Sequence, residues 1–151
     1  IFLEPLLRGL AKSGRTLADI DVQVGGSLEI DDDVERLIEA RRPAMAFTLG
    51  GMGSAKTNFY NDAFKRAGYA EAAEEVQALW VSGDKEAAIR AVPDEMVLKT
   101  NLIGTREMIV ERIKAYAAAG VTTLRISTSG RNWRERTETL AEATDLIHSI
   151  Q

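Results

Sequence analysis

The sequence predicts an α/β chain, mostly helical, with two parallel strands near residues 21–30 and 121–127. Three observations carry that expectation. Apolar residues return every three or four places through most of the 151 residues. Two short segments, "DIDVQVGGSLEI" and "VTTLRIS", instead alternate or concentrate β-branched residues. Everything between them reads as helix or turn. Two strands joined by a long helical crossover are expected to be parallel neighbours with a right-handed connection. An isolated pair leaves two unpaired edges, so the order reads as one end of a repeated βα architecture.

Taken in order, Phe2, Leu6, Leu7 and Leu10 recur at helical spacing, and Gly14 supplies a C-terminal stop. Ile20, Val22 and Val24 alternate with polar partners and the pattern resumes at Leu28 and Ile30, so Gly25-Gly26 marks a bulge or a close approach by another group. Asp31 to Asp33 suit a helix N-terminus, followed by Val34, Leu37 and Ile38 on one face, with Pro43 expected to kink or divide the helix. Two helices follow from Asn58 to Trp80, separated near Gly68-Tyr69. Gly83 ends the second, Asp84 caps a short third through Ala91, and Pro93 breaks the chain. "GTREMIVERIKAYAAAG" has Thr105 as N-cap, a stripe of Ile109, Ile113 and Tyr116, and Gly120 as terminator. The last helix is expected to turn Trp133, Leu140 and Ile147 inward.

Composition limits the function classes. With 45% apolar and 28% charged residues the chain is ordinary for a globular domain, read here as a single partial domain over 1–151. A net charge of -4 without a long basic block argues against nucleic acid. The chain has no cysteine, which excludes thiolate catalysis and Cys-based metal sites and is compatible with a reducing, cytoplasmic setting. No apolar run approaches the ~20 residues that span a bilayer, and no signal peptide is visible. The first residue is Ile, in what reads as the middle of a helix, so the chain is expected to be the later part of a longer one. His148, the one histidine, reads as a helix-dipole partner near a C-terminus. Asp31 to Asp33 read as a cap and no metal site is expected.

The segment Leu49 to Tyr69, "LGGMGSAKTNFYNDAFKRAGY", concentrates three early glycines, a Lys-Thr pair and an aromatic-polar run. A phosphate loop of the form Gly-x-x-x-x-Gly-Lys-Ser/Thr wraps phosphates with backbone amides. Gly50 and Lys56-Thr57 fit that form, but Ala55 stands where its second glycine belongs and "PAMAFTL" continues a helical pattern. A nucleotide hydrolase is therefore the least favoured reading.

"RRPAMAFTLGGMGSAKTNFYNDAFKRAGY", "AVPDEMV", "IGTREMIVERIKAYAAAGV" and "TTLRIS" together resemble the C-terminal half of the luciferase-like monooxygenase superfamily, in its coenzyme F420-dependent oxidoreductase branch. The resemblance runs from about Pro5 to Ile126. Its most specific pieces are Gly50-Gly51-Met52-Gly53 with Asn58-Phe59-Tyr60, and Gly104-Thr105 leading to Gly120-Val121. It implies the C-terminal part of a (β/α)8 TIM barrel, with the two strands as the seventh and eighth and a helical insertion at about 50–103 covering the pocket. The implied chemistry is hydride transfer to or from a deazaflavin, F420, with FMN as the alternative cofactor. The resemblance places the principal catalytic groups in an N-terminal half, so this chain alone is expected to be inactive.

The barrel rule puts candidate cofactor contacts just past the second strand, at Ser129, Gly130 and Arg131, where a helix N-terminus and a guanidinium favour an anion. Ser129 as a cap and Arg131 as a surface charge is the competing reading. On the substrate side the candidates are Gly51, Met52, Asn58 and Tyr60: a bend, two apolar surfaces and one fixed hydrogen-bonding amide. There the competing reading makes Asn58 an N-cap and Phe59 core. Expected partners are a small-molecule substrate and either a second copy or the remainder of the barrel. The rival from another class is a non-catalytic helical self-association domain derived from the barrel.

Overall fold

The computed structural model describes residues 3–54, 56–128, 130 and 132–150. In chain order they form α1 (Leu3–Lys12), a 3-10 turn (Leu17–Asp19), β1 (Gln23–Ile30), α2 (Val34–Gly50), α3 (Phe59–Phe64), a π-helical turn (Lys65–Tyr69) and α4 (Ala70–Ser82). Then come α5 (Lys85–Arg90), α6 (Asp94–Thr100), β2 (Leu102–Gly104), α7 (Arg106–Ala118), β3 (Thr123–Thr128) and α8 (Trp133–His148). The chain divides into two compact units, Ile1–Asp32 with Asn101–Gln151, and Asp33–Thr100.

The first unit is built on a parallel sheet in the order β2-β1-β3. β1 and β3 are parallel neighbours, in register from Gln23↔Thr123 to Leu28↔Thr128, as the long crossover requires. The expectation of two strands needs one correction. β2 pairs with the other edge of β1, from Leu28↔Leu102 to Ile30↔Gly104. Three residues buried on both faces leave no periodicity in a sequence, so β2 reads there as loop. Nor is there a bulge at Gly25-Gly26: the strand is continuous, and a Cβ on Gly25 would lie 2.2 Å from the Arg125 carbonyl oxygen. Glycine serves the close approach of two strands.

One face of this sheet is covered by α7 and α8, where Leu28 and Leu102 pack with Ile109, Ile113, Ala143 and Leu146. Ile109 and Ile113 lie on the expected stripe of α7, and Gly120 (φ 86) follows its end. In α8 the packed face differs from the expected one. Trp133 is 79% and Leu140 49% exposed, while Ala143 and Leu146 are buried and Ile147 packs against them. A heptad spacing through 133, 140 and 147 does not establish which of several helical stripes meets the sheet, and here the 143-146-147-150 stripe does.

The second unit is helical. Asp33 caps α2 by accepting a hydrogen bond from the Arg36 amide at 3.1 Å. Pro43 neither divides α2 nor ends it; it lies exposed, where the carbonyl it leaves without a donor can meet water. Arg42 reaches the Val92 carbonyl and the Asp94 carboxylate, tying α2 to the start of α6. The expected break between α3 and α4 occurs at Gly68 (φ 98), and Gly83 (φ 95) ends α4. Asp84 caps α5 through the Ala87 amide at 3.0 Å. Among the described residues no helix is long and apolar enough to cross a membrane.

Candidate functional site

The C-terminal ends of parallel strands are where an α/β sheet presents loops and helix N-termini to a ligand. At this end of the first unit the Asp31 amide donates to the Gly104 carbonyl at 3.0 Å, closing β1 against β2. Gly104 (φ 129) turns directly into α7, and a Cβ there would lie 2.9 Å from Met108 Sδ. Thr105 then accepts from the Met108 amide and donates its hydroxyl to Glu107 Oε2 at 2.8 Å. The Glu107 carboxyl is held below the usual carboxylate range, first by its own backbone amide and then by that hydroxyl.

Past β3, Gly130 has φ 148, and a Cβ on it would stand 2.9 Å from the Arg136 amide. Its carbonyl accepts a hydrogen bond from Arg136 Nε at 3.1 Å. Asn132 is the N-cap of α8. Its Oδ1 accepts from the Glu135 amide at 3.0 Å while its Nδ2 donates to Glu135 Oε1 at 2.9 Å. The cap expected at Ser129 is thus supplied by Asn132. Ser129 and Arg131 lie outside the described residues. Asn132 takes two amides at this end of α8, that of Glu135 on its Oδ1 and that of Arg136 on its carbonyl. The Glu135 carboxylate beside the cap is a local charge that disfavours an anion there.

The substrate candidates lie in the second unit. Gly51 and Met52 both donate their amides to the Phe47 carbonyl, at 2.7 and 3.0 Å, closing the end of α2. A Cβ on Gly50 would lie 2.3 Å from Trp80 Cβ, and one on Gly51 2.7 Å from Phe47 Cδ2. Two adjacent glycines therefore let the Phe47 and Trp80 rings meet edge-on at 5.8 Å. Gly53 (φ 105) leads to a tight turn in which Ser54 and Thr57 exchange backbone hydrogen bonds at 3.1 and 3.2 Å. The Lys56 and Thr57 amides face Ser54 Oγ. Amides turned to a serine, after a helix and not a strand, do not make a phosphate cradle.

Asn58 follows at 3% exposure. Its Oδ1 accepts from the Asn61 amide at 3.0 Å, and its Nδ2 donates to the Leu49 carbonyl at 2.8 Å and to Thr48 at 3.3 Å. Asn61, 1% exposed, donates to the carbonyls of Leu49 at 3.0 Å and Ala73 at 2.6 Å. The pair therefore joins the end of α2 to α3 and α4. Asn61 was not among the expected residues; the Asn-x-x-Asn spacing of a cap was its one sequence signal. Tyr60 is 45% and Phe59 73% exposed, their rings edge-on at 5.7 Å, so Phe59 is a surface residue and not core.

At the opposite end of the first unit's strands, Asp21 accepts hydrogen bonds from the hydroxyls of Thr122 and Thr123, each at 2.5 Å. Together with Gln23 they hold its carboxyl below the usual range, Thr122 contributing most. A cavity of about 320 Å³ lies nearby, lined by Tyr116, Val121, Leu124, Ile147 and Ile150 among others. Burial raises the Tyr116 phenol. This cavity is separate from the strand ends that carry the candidate cofactor residues.

A parallel sheet with helices on one face, glycine turns past its strands and capped helix N-termini defines an α/β protein of the βα-repeat class. More particularly, the chain belongs to the luciferase-like monooxygenase family, whose profile matches residues 2–123. A Mycobacterium tuberculosis protein provisionally named a coenzyme F420-dependent oxidoreductase is 32% identical over 124 residues, covering 81% of this chain and 36% of that protein. The 5,10-methylenetetrahydromethanopterin reductase of Archaeoglobus fulgidus is 28% identical over 114 residues, 76% of this chain and 34% of the reductase. The structure of the coenzyme F420-dependent tetrahydromethanopterin reductase from Methanopyrus kandleri superposes with a TM-score of 0.66 at 25% identity, over 96% of this chain and 40% of that one. The chain spans about a third of the length of the curated relatives it matches.

Proposed function

We propose that this chain forms the C-terminal part of an F420-dependent oxidoreductase that transfers a hydride between a small-molecule substrate and the deazaflavin. The observation that carries the reading is the family membership joined to two relatives whose names specify reduction of a methanopterin substrate and one structure named as F420-dependent. When bound, the deazaflavin supplies a two-electron hydride acceptor or donor. The chain's own residues then bind and orient. Gly130, with Ser129 and Arg131, takes an anionic group of the cofactor beside the first turn of α8. Gly51, Met52 and Tyr60 face the substrate, on a segment whose course is fixed by Asn58 and Asn61. No described residue is assigned the proton transfer, which the resemblance places in the other part of the barrel.

Titrating F420 and, separately, FMN into the protein carrying the complete barrel, followed by cofactor fluorescence, tests this. Saturable F420 binding, weakened by Arg131→Gln at unchanged melting temperature, is the expected result. Preference for FMN would move the assignment to the flavin branch, and binding of neither would remove the cofactor reading. The self-association alternative rests on the exposed Trp133, Phe59 and Tyr60 rings. It predicts a concentration-dependent mass in light scattering that Trp133→Ser abolishes.

A further inference from the structure

The first unit lets the chain out and takes it back at one place. β1 ends at Ile30, and β2 begins at Leu102, beside Leu28 on the neighbouring strand. A segment that leaves and returns at adjacent points needs little further closure, and its own contacts can then decide whether it is ordered. Asp33–Thr100 is such a segment.

Its start and stop are made from its own residues. Asp33 caps α2 through the Arg36 amide, and at the other end Thr100 Oγ1 donates to the Met96 carbonyl at 2.8 Å. Between them α2 packs against α4, α5 and α6, and α4 packs against α5. Leu37, Ala46 and Leu49 of α2, Val76 of α4, Ala88 of α5 and Met96 of α6 are fully buried. Polar ties run within the same segment. Arg42 reaches Val92 and Asp94, Asn61 joins Leu49 to Ala73, and Lys65 Nζ lies 3.3 Å from Glu74. The stretch between Gly51 and Asn58 is closed onto α2 at both ends, by the Phe47 carbonyl and by the Leu49 carbonyl. Many domains of about 55–65 residues fold alone, and Asp33–Thr100 exceeds that length.

We infer that Asp33–Thr100 is a folding module of its own, whose helices form and stay formed without the sheet of the first unit. Gly51, Met52, Asn58 and Tyr60 take their geometry from this module. The inference concerns folding and is read without cofactor or substrate. It does not rest on the hydride-transfer reading, so either can fail without the other.

The two tryptophans supply the test. Trp80 belongs to the module, where its ring meets Phe47, and Trp133 begins α8 of the first unit at the surface. In the 151-residue chain carrying Trp133→Phe, urea unfolding followed by fluorescence therefore reports the module. Gly25→Val is then added to break the sheet, since a Cβ there would lie 2.2 Å from the Arg125 carbonyl oxygen. Amide protection in β1 and β3 is expected to fall at least about a hundredfold, while the Trp80 midpoint and slope stay unchanged. A Trp80 transition that is lost, or that moves with the sheet, would overturn the module. If Gly25→Val precipitates, hydrogen exchange of the parent chain in rising urea decides. Amides of α2 and α4 that open with a free energy and urea slope different from those of β1 and β3 support the inference, and a shared value and slope overturn it. Leu49→Asp checks cooperativity from the other side: protection should vanish from α2 to α6 together, and a loss confined to α3 would overturn the claim of one module.

Discussion

Asn61 shows how much one side chain can fix in the second unit. A single amide group satisfies the carbonyls of both Leu49 and Ala73, in the dry junction of α2, α3 and α4. Removing it takes the side-chain donor from the Ala73 carbonyl, while the Leu49 carbonyl keeps the Asn58 amide, a loss of about 1–3 kcal/mol. Asn61→Ala is accordingly expected to destabilise the protein by about 1–3 kcal/mol in urea unfolding, and Asn58→Ala, which loses a cap, by about 1–2 kcal/mol. A shift of less than a few tenths in either would contradict the structural role assigned to the pair. Gly25 governs a different kind of contact. A methyl group there meets backbone, which has little freedom to yield. Gly25→Ala should cost about 3 kcal/mol, the upper end for overpacking, with amide exchange between β1 and β3 accelerating first.

Among the elements, the sheet of the first unit is pinned at its two ends by different chemistry. At the far end from the candidate cofactor residues, Asp21 joins the entry to β1 to Thr122 and Thr123 at the entry to β3. Its pKa is lowered in the folded protein, chiefly by the Thr122 hydroxyl. A lowered folded-state pKa contributes stability that is fully present above the unfolded value, about 3.9, and is lost as pH falls through the folded value. The melting temperature should therefore drop on acidification below about pH 4. Asp21→Asn should flatten part of that drop, and an identical acid limb in the variant would exclude this cluster as its source. The sequence had announced the helix that follows β2 through Thr105, yet not β2 itself. Helix signals are local, whereas a three-residue strand exists only because β1 offers it an edge.

At the scale of the whole molecule, the chain spans about a third of its curated relatives. Under the proposed function, turnover is expected from a protein of the relatives' length and none from this chain alone. Loss of the oxidised deazaflavin's absorbance in the presence of substrate measures both. Activity in the 151-residue chain would show that the proton-handling group is here after all.

The sequence by itself determined the helices with caps and glycine stops, the two longer strands and their parallel pairing, and the family. Those are written in spacing: hydrogen-bond partners three residues away and side chains that repeat at a fixed period. Only the tertiary structure decided that Gly25 serves a close approach and not a bulge, that α2 runs through Pro43, and that α8 buries Ala143 and Leu146 while Trp133 stays outside. It also decided that Asn58 turns its amide inward to Leu49 and Asn61. Each of these depends on what another segment places opposite, and distance across a fold leaves no period in the chain.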